Sequence, residues 1–140
     1  KNNIKMVKTK SGHKIVFSDE DGKESINLNT AKGIAVKLDD EKELIEVKDK
    51  SGGNLLKIDG KNGEVTLTGK KKITINVGGN KIFIDGNAGN VSIESSTSLK
   101  LKAQQVNIEA GGTMSIKSSG MLDVKSDGVL NVKGSMVKIN

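Results

Sequence analysis

The sequence has no cysteine, proline, arginine, tryptophan or tyrosine, and its only aromatic rings are Phe17 and Phe83. Each absence removes a class of protein. Without cysteine there is no disulfide framework and no thiolate metal site. Arginine forks that grip phosphate and rings on which bases stack are missing too. The net charge of +6, set by 23 lysines against 17 acids, therefore does not read as a nucleic-acid surface. A solvated lysine-rich exterior, which also discourages edge-to-edge aggregation of sheets, accounts for it better. No apolar run approaches the roughly 20 residues of a membrane-spanning helix, and no signal-peptide pattern is present. The chain starts at Lys1 rather than Met, so a fragment or processed product is expected. Apolar residues make up 34% and are mostly Ile, Val and Leu. Small β-branched side chains suit thin repeated layers better than a globular core.

What is present is a repeat. The last fifty residues contain apolar-x-apolar triplets: Val91/Ile93, Leu99/Leu101, Val106/Ile108, Met114/Ile116, Leu122/Val124, Leu130/Val132 and Val137/Ile139. Their first members are 8, 7, 8, 8, 8 and 7 residues apart, and every middle residue is polar. Period-two alternation of this kind marks a strand with one buried and one wet face. The connectors, such as EAGGT and KSSG, are turn residues. Met121, Val129 and Met136, just before triplets, are expected to pack at corners. Upstream the triplet persists at wider steps of 11, 10, 9, 11, 9, 8, 9 and 9: Ile15/Phe17, Ile26/Leu28, Val36/Leu38, Ile45/Val47, Leu56/Ile58, Val65/Leu67, Ile73/Ile75 and Ile82/Ile84. No stretch shifts to a period of 3.6, so no helix is expected. The reading divides one continuous rod into a wider segment, 1–90, and an octad segment, 91–140, with no linker.

An eight-residue unit supplies one strand and one corner. Several units could make one coil of a single chain, so the period leaves the chain count open. A single narrow solenoid exposes two sheet edges that need caps, and no capping helix or aromatic plug is evident. Chains wound together would instead satisfy one another's backbone amides. If each repeat advances by about one strand spacing, ~4.7 Å, the rod is roughly 70 Å long.

The segment TKSGHKIVFSDEDGKESI (Thr9–Ile26), then IEVKDKSGGNLLKIDGKNGEVTL, then octads such as VNIEAGG, TMSIKSSG, MLDVKSDG and VLNVKG resemble the C-terminal spike of VgrG-type proteins. Baseplate spikes of contractile phage tails and of phage-tail-like bacteriocins are similar. The resemblance covers essentially the whole chain. It implies an all-β, intertwined triple-stranded β-helix, a homotrimeric needle driven through a target cell envelope. It further implies assembly in the cytoplasm as part of a phage-tail-like particle, with action outside the cell or inside the target. The trimer core is expected from the triplet members between Ile73 and Ile139. Implied partners are the tail tube or hub, through an N-terminal region not seen here, and transiently the target envelope. Some phage spikes end in closely spaced histidines that hold iron. The only histidine here is His13, far from the presumed tip. With apolar Val137 and Ile139 at the other end, the reading expects a separate PAAR-type tip protein. No cofactor, metal or catalytic residue is implied.

Candidate chemistry in the residues themselves is thin. His13 has no Cys or His neighbour and sits in an SGH turn. Asp19, Glu20, Asp21 and Glu24 lack the spacing of a Ca²⁺ loop, and Asp39, Asp40, Glu41 and Glu43 do likewise; solvated turns are expected for both groups. Lys70–Lys72 reads as an exposed turn before a strand. VGGN and GNAGN precede no helix, so neither is a phosphate loop. Met114, Met121 and Met136 read as core filler, and with the single histidine placed in a turn no Ser-His-acid constellation is expected. An enzyme is not expected. The competing classes are a trimeric fibre or adhesin stalk acting as a binding module, and an enzyme built on a single-chain β-helix. The first predicts aromatic-rich exposed loops; the second predicts clustered acids or histidines and a monomer.

Overall fold

A computed structural model describes residues 2–139. Among them every regular element is a strand: β1 (Ile4–Lys8), β2 (Lys14–Ser18), β3 (Ser25–Asn29), β4 (Ala35–Asp39), β5 (Leu44–Lys48), β6 (Leu55–Asp59), β7 (Glu64–Thr68), β8 (Lys72–Val77), β9 (Asn80–Asp85) and β10 (Asn90–Glu94). The upstream triplets each fall inside one strand, Ile15/Phe17 in β2 through Val91/Ile93 in β10. β1 was not foreseen, although Ile4-Lys5-Met6 fits the triplet; the register sets Lys5 and Val7, not Ile4 and Met6, opposite Phe17 and Ile15.

β1 to β7 form a seven-stranded sheet in sequential order, and β8, β9 and β10 form a second, three-stranded sheet. All pairs are antiparallel neighbours in sequence. Up to β10 the ladders therefore close within one chain, whereas the sequence reading had looked for amides saturated between chains. The reason lies in the connectors. Those inside each sheet are two to six residues long, which is hairpin length. The step from β7 to β8, residues 69–71, joins strands that do not pair. Gly69 is required there: a Cβ would lie 2.6 Å from Ile73 Cγ1 and 2.8 Å from the Lys72 carbonyl oxygen.

The chain divides into two compact units, one extending to Lys100 and the other running from Leu101 onward. The octad spacing begins at Val91, but the strand holding Val91 and Ile93 still pairs with β9. From Ser95 to Ile139 no strand forms within the chain. What recurs there is the corner. Ser118 donates its hydroxyl to the Met121 carbonyl (3.1 Å) and accepts from the Gly120 amide (3.2 Å). Ser126 does the same with Val129 (3.3 Å) and Gly128 (3.2 Å), eight residues later.

Candidate assembly interface

Residues opposed in an antiparallel register project from the same face. Following the pairs across the first sheet gives two apolar columns. One runs Val7, Ile15, Leu28, Val36, Val47, Leu56, Leu67; the other runs Phe17, Ile26, Leu38, Ile45, Ile58, Val65 and begins at Lys5. The opposite face carries Lys37, Glu46, Lys57 and Thr66 in one row. Lys37 and Lys57 flank Glu46, a cross-strand charge alternation that favours this register. The second sheet repeats the pattern: Ile73, Ile84 and Val91 form one column, Ile75, Ile82 and Ile93 the other. Its outward row includes Phe83, whose ring is covered by the ammonium groups of Lys81 (4.8 Å) and Lys72 (5.6 Å).

These columns are not buried by anything in the chain. Among the described residues no hydrophobic side chain is buried; even in mid-sheet Leu56 is 38% exposed, and at the edge Val65 is 72% exposed. The chain presents 12308 Å² to solvent. A compact monomer of 14.8 kDa would present about 7,000 Å². The excess includes the aliphatic face of each sheet, and covering such a face is favourable, since each fully buried Val, Leu or Ile contributes roughly 1.5–3 kcal/mol. A concavity of about 370 Å³ lies on this face, walled by Val7, Ile15, Leu28, Val36 and Ile34.

The expected core residues divide accordingly. Ile73 to Ile93 are brought together on one face of the second sheet. Leu99, Leu101, Val106, Ile108, Met114, Ile116, Leu122, Val124, Leu130, Val132, Val137 and Ile139 join no ladder and stand exposed, Ile139 at 92%. The apolar face also extends back to Val7, well before the expected start at Ile73; the upstream triplets carried that signal.

The polar candidates are turn hardware. His13 accepts the Ala31 amide on Nδ1 (3.2 Å), tying the β1–β2 turn to the β3–β4 turn. Asn54 and Asn80 do the same job: their Oδ1 atoms accept the Lys70 amide (3.1 Å) and the Ser96 amide (3.2 Å). Asp39, Asp59 and Asp85 end β4, β6 and β9, and each holds the next turn through backbone amides: Lys42 at 3.0 Å, Asn62 at 3.1 Å, Asn87 at 3.0 Å. Each also meets a lysine on its own face: Lys37 at 2.7 Å, Lys57 at 3.0 Å, Lys72 at 2.7 Å. Those ammonium hydrogen bonds, followed by the turn amides, hold the three carboxyls below the usual carboxylate range. Sequence reasoning overlooked this Asp device, although DDEKE, DGKNG and DGNAG repeat it visibly. In the β2–β3 turn Asp19 pairs with Lys5 (3.1 Å) and Glu20 with Lys23 (2.7 Å).

Residues 3–79 match the family model described as the phage baseplate V C-terminal trimerisation domain. The span takes in the whole seven-stranded sheet and β8. No curated protein matches the chain.

Proposed function

Because this chain belongs to the phage baseplate V C-terminal trimerisation domain family, we propose that it is the force-bearing spike of a contractile injection machine, with no enzymatic role. Membership makes it a trimer-forming structural part of a baseplate. The observation that carries the finer reading is the uncovered two-column face: three such sheets packed around one axis would enclose a dry aliphatic interior. Hydrogen-bonded strands on a packed core resist compression, which is what transmitting a sheath stroke demands.

In this reading the octads complete the needle as a triple-stranded β-helix. From Ser95 to Ile139 backbone amides have no ladder partner in their own chain, so other chains supply it. The corners at Ser118 and Ser126, identical after eight residues, set that winding. The trimer joins a tail tube or hub and receives a PAAR-type tip protein. It assembles in the cytoplasm and acts at a target cell envelope in a phage tail, a bacteriocin or a type VI secretion system.

The test is mass and resistance. Light scattering should give three times the 14.8 kDa chain mass, and the band should survive SDS without boiling. A monomer would sink the reading, and a trimer that leaves anionic and neutral vesicles intact under applied load would sink the piercing role alone.

A further inference from the structure

An antiparallel meander sends its turns alternately to two margins. In the seven-stranded sheet, connectors 19–24, 40–43 and 60–63 lie on one margin, and connectors 9–13, 30–34, 49–54 and 69–71 on the other. Charge is sorted between them. The first margin, counting the strand ends Asp39, Asp59 and Glu64, carries ten acids and three lysines. The second, counting the strand ends Lys8, Lys14 and Lys48, carries eight lysines and one acid, Asp49. That lone acid is spent on its own turn, accepting from Ser51 (2.9 Å) and Asn54 (2.6 Å). Among the described residues only Lys48 of the eight lysines has a carboxylate partner, Glu46 at 2.6 Å. On the acidic side Asp21, Asp40 and Glu43 have none either.

Building on the trimeric reading, we propose that the acidic margin of one copy docks along the basic margin of the next. The occupant of each margin is thus a second copy of this chain, and the contact is heterologous. Two physical points favour it. A side-by-side contact about a twofold axis would set acidic margin against acidic margin, which repels; only a head-to-tail ring brings unlike margins together at every seam. The turns also match in spacing. Successive turns on one margin are two strands apart, about 9–10 Å, and the two margins share that period with a stagger of one strand. Neighbouring seam charges then lie within a Debye length, about 8 Å at physiological ionic strength. The aliphatic columns supply most of the binding free energy. The seam sets direction and ring order and speeds encounter.

The experiment is a charge swap in the full chain. One variant carries Asp21→Lys, Asp40→Lys and Glu41→Lys; a second carries Lys10→Glu, Lys32→Glu and Lys50→Glu; a third carries all six. All six side chains are exposed. Refolding and assembly are followed by light scattering in low salt and in 1 M salt. Each three-site variant should assemble at least about tenfold more slowly at low salt, with the gap closing in high salt. The six-site variant nearly neutralises both margins, leaving seven acids against six lysines on one and five lysines against four acids on the other, and should be the slowest of the three at low salt and match wild type in 1 M salt. Three-site variants that assemble like wild type at low salt, or a slowing that 1 M salt leaves unchanged, would overturn the seam. A wild-type chain that is no trimer would instead overturn the reading beneath it.

Discussion

Glu43 sits in left-handed backbone at φ 48°, four residues after Asp39; at the matching places after Asp59 and Asp85 stand Gly63 (φ 66°) and Gly89 (φ 67°). A side chain there costs about 1–2 kcal/mol, partly offset by the extra freedom glycine has when unfolded. Glu43→Gly should therefore stabilise the trimer by about 0.5–1 kcal/mol per chain in denaturant unfolding at fixed chain concentration. The aspartates make a pH prediction. Their folded pKa values lie below the unfolded value of about 3.9, because Lys37, Lys57 and Lys72 respectively hydrogen-bond the charged form. Stability from these pairs is complete above the unfolded pKa and is lost as pH falls through the lower folded one. Asp59→Asn should flatten the acid limb of a stability–pH curve. An unchanged acid limb would show that the pair with Lys57 contributes nothing. The same contact raises the pKa of Lys57, so its alkaline counterpart is present below the unfolded lysine pKa and fades as pH rises through the folded value.

At the scale of elements, the turns hold one another across a strand pair. Asn54 both braces its own turn through Asp49 and accepts the Lys70 amide of the connector leading to β8. Asn54→Leu removes those bonds and should cost about 1–2 kcal/mol, with faster hydrogen exchange at the Lys70 amide as the specific readout. His13→Asn should be nearly neutral, since a side-chain oxygen can accept where Nδ1 does now. The faces divide just as cleanly. Ile45→Asp puts a charge in mid-column and should abolish assembly, whereas Thr66→Asp on the opposite face should leave the trimer intact by light scattering.

For the whole molecule, the two units depend on partners to different degrees. The sheets up to β10 pair within the chain, but the described residues from Ser95 to Ile139 have no ladder there. In an assembly-blocked chain such as Ile45→Asp, amides from Leu99 to Ile139 should exchange as in an unfolded peptide while β3 to β6 keep measurable protection. Ile116→Asp would place three charges in the proposed core and should block trimer formation. A trimer of unchanged thermal stability would show that Ile116 does not face inward.

The triplets by themselves determined nine of the ten strands and which side chains share a face, because period-two alternation is local; the six triplets from Leu99/Leu101 to Val137/Ile139 read the same way but form no strand within the chain. They also showed that these faces repeat without an aromatic core. Local pattern is silent on where a strand finds its partner. The sequence reading expected strands to pass from chain to chain throughout, yet the meander keeps them in one chain to β10, because hairpin-length connectors return each strand beside its predecessor. Pairing register decided the rest. Only once Ser25 opposes Asp39, and Asn29 opposes Ala35, do scattered acids and lysines become two margins of opposite sign, since charge separation along an edge is a property of the sheet and not of any one strand.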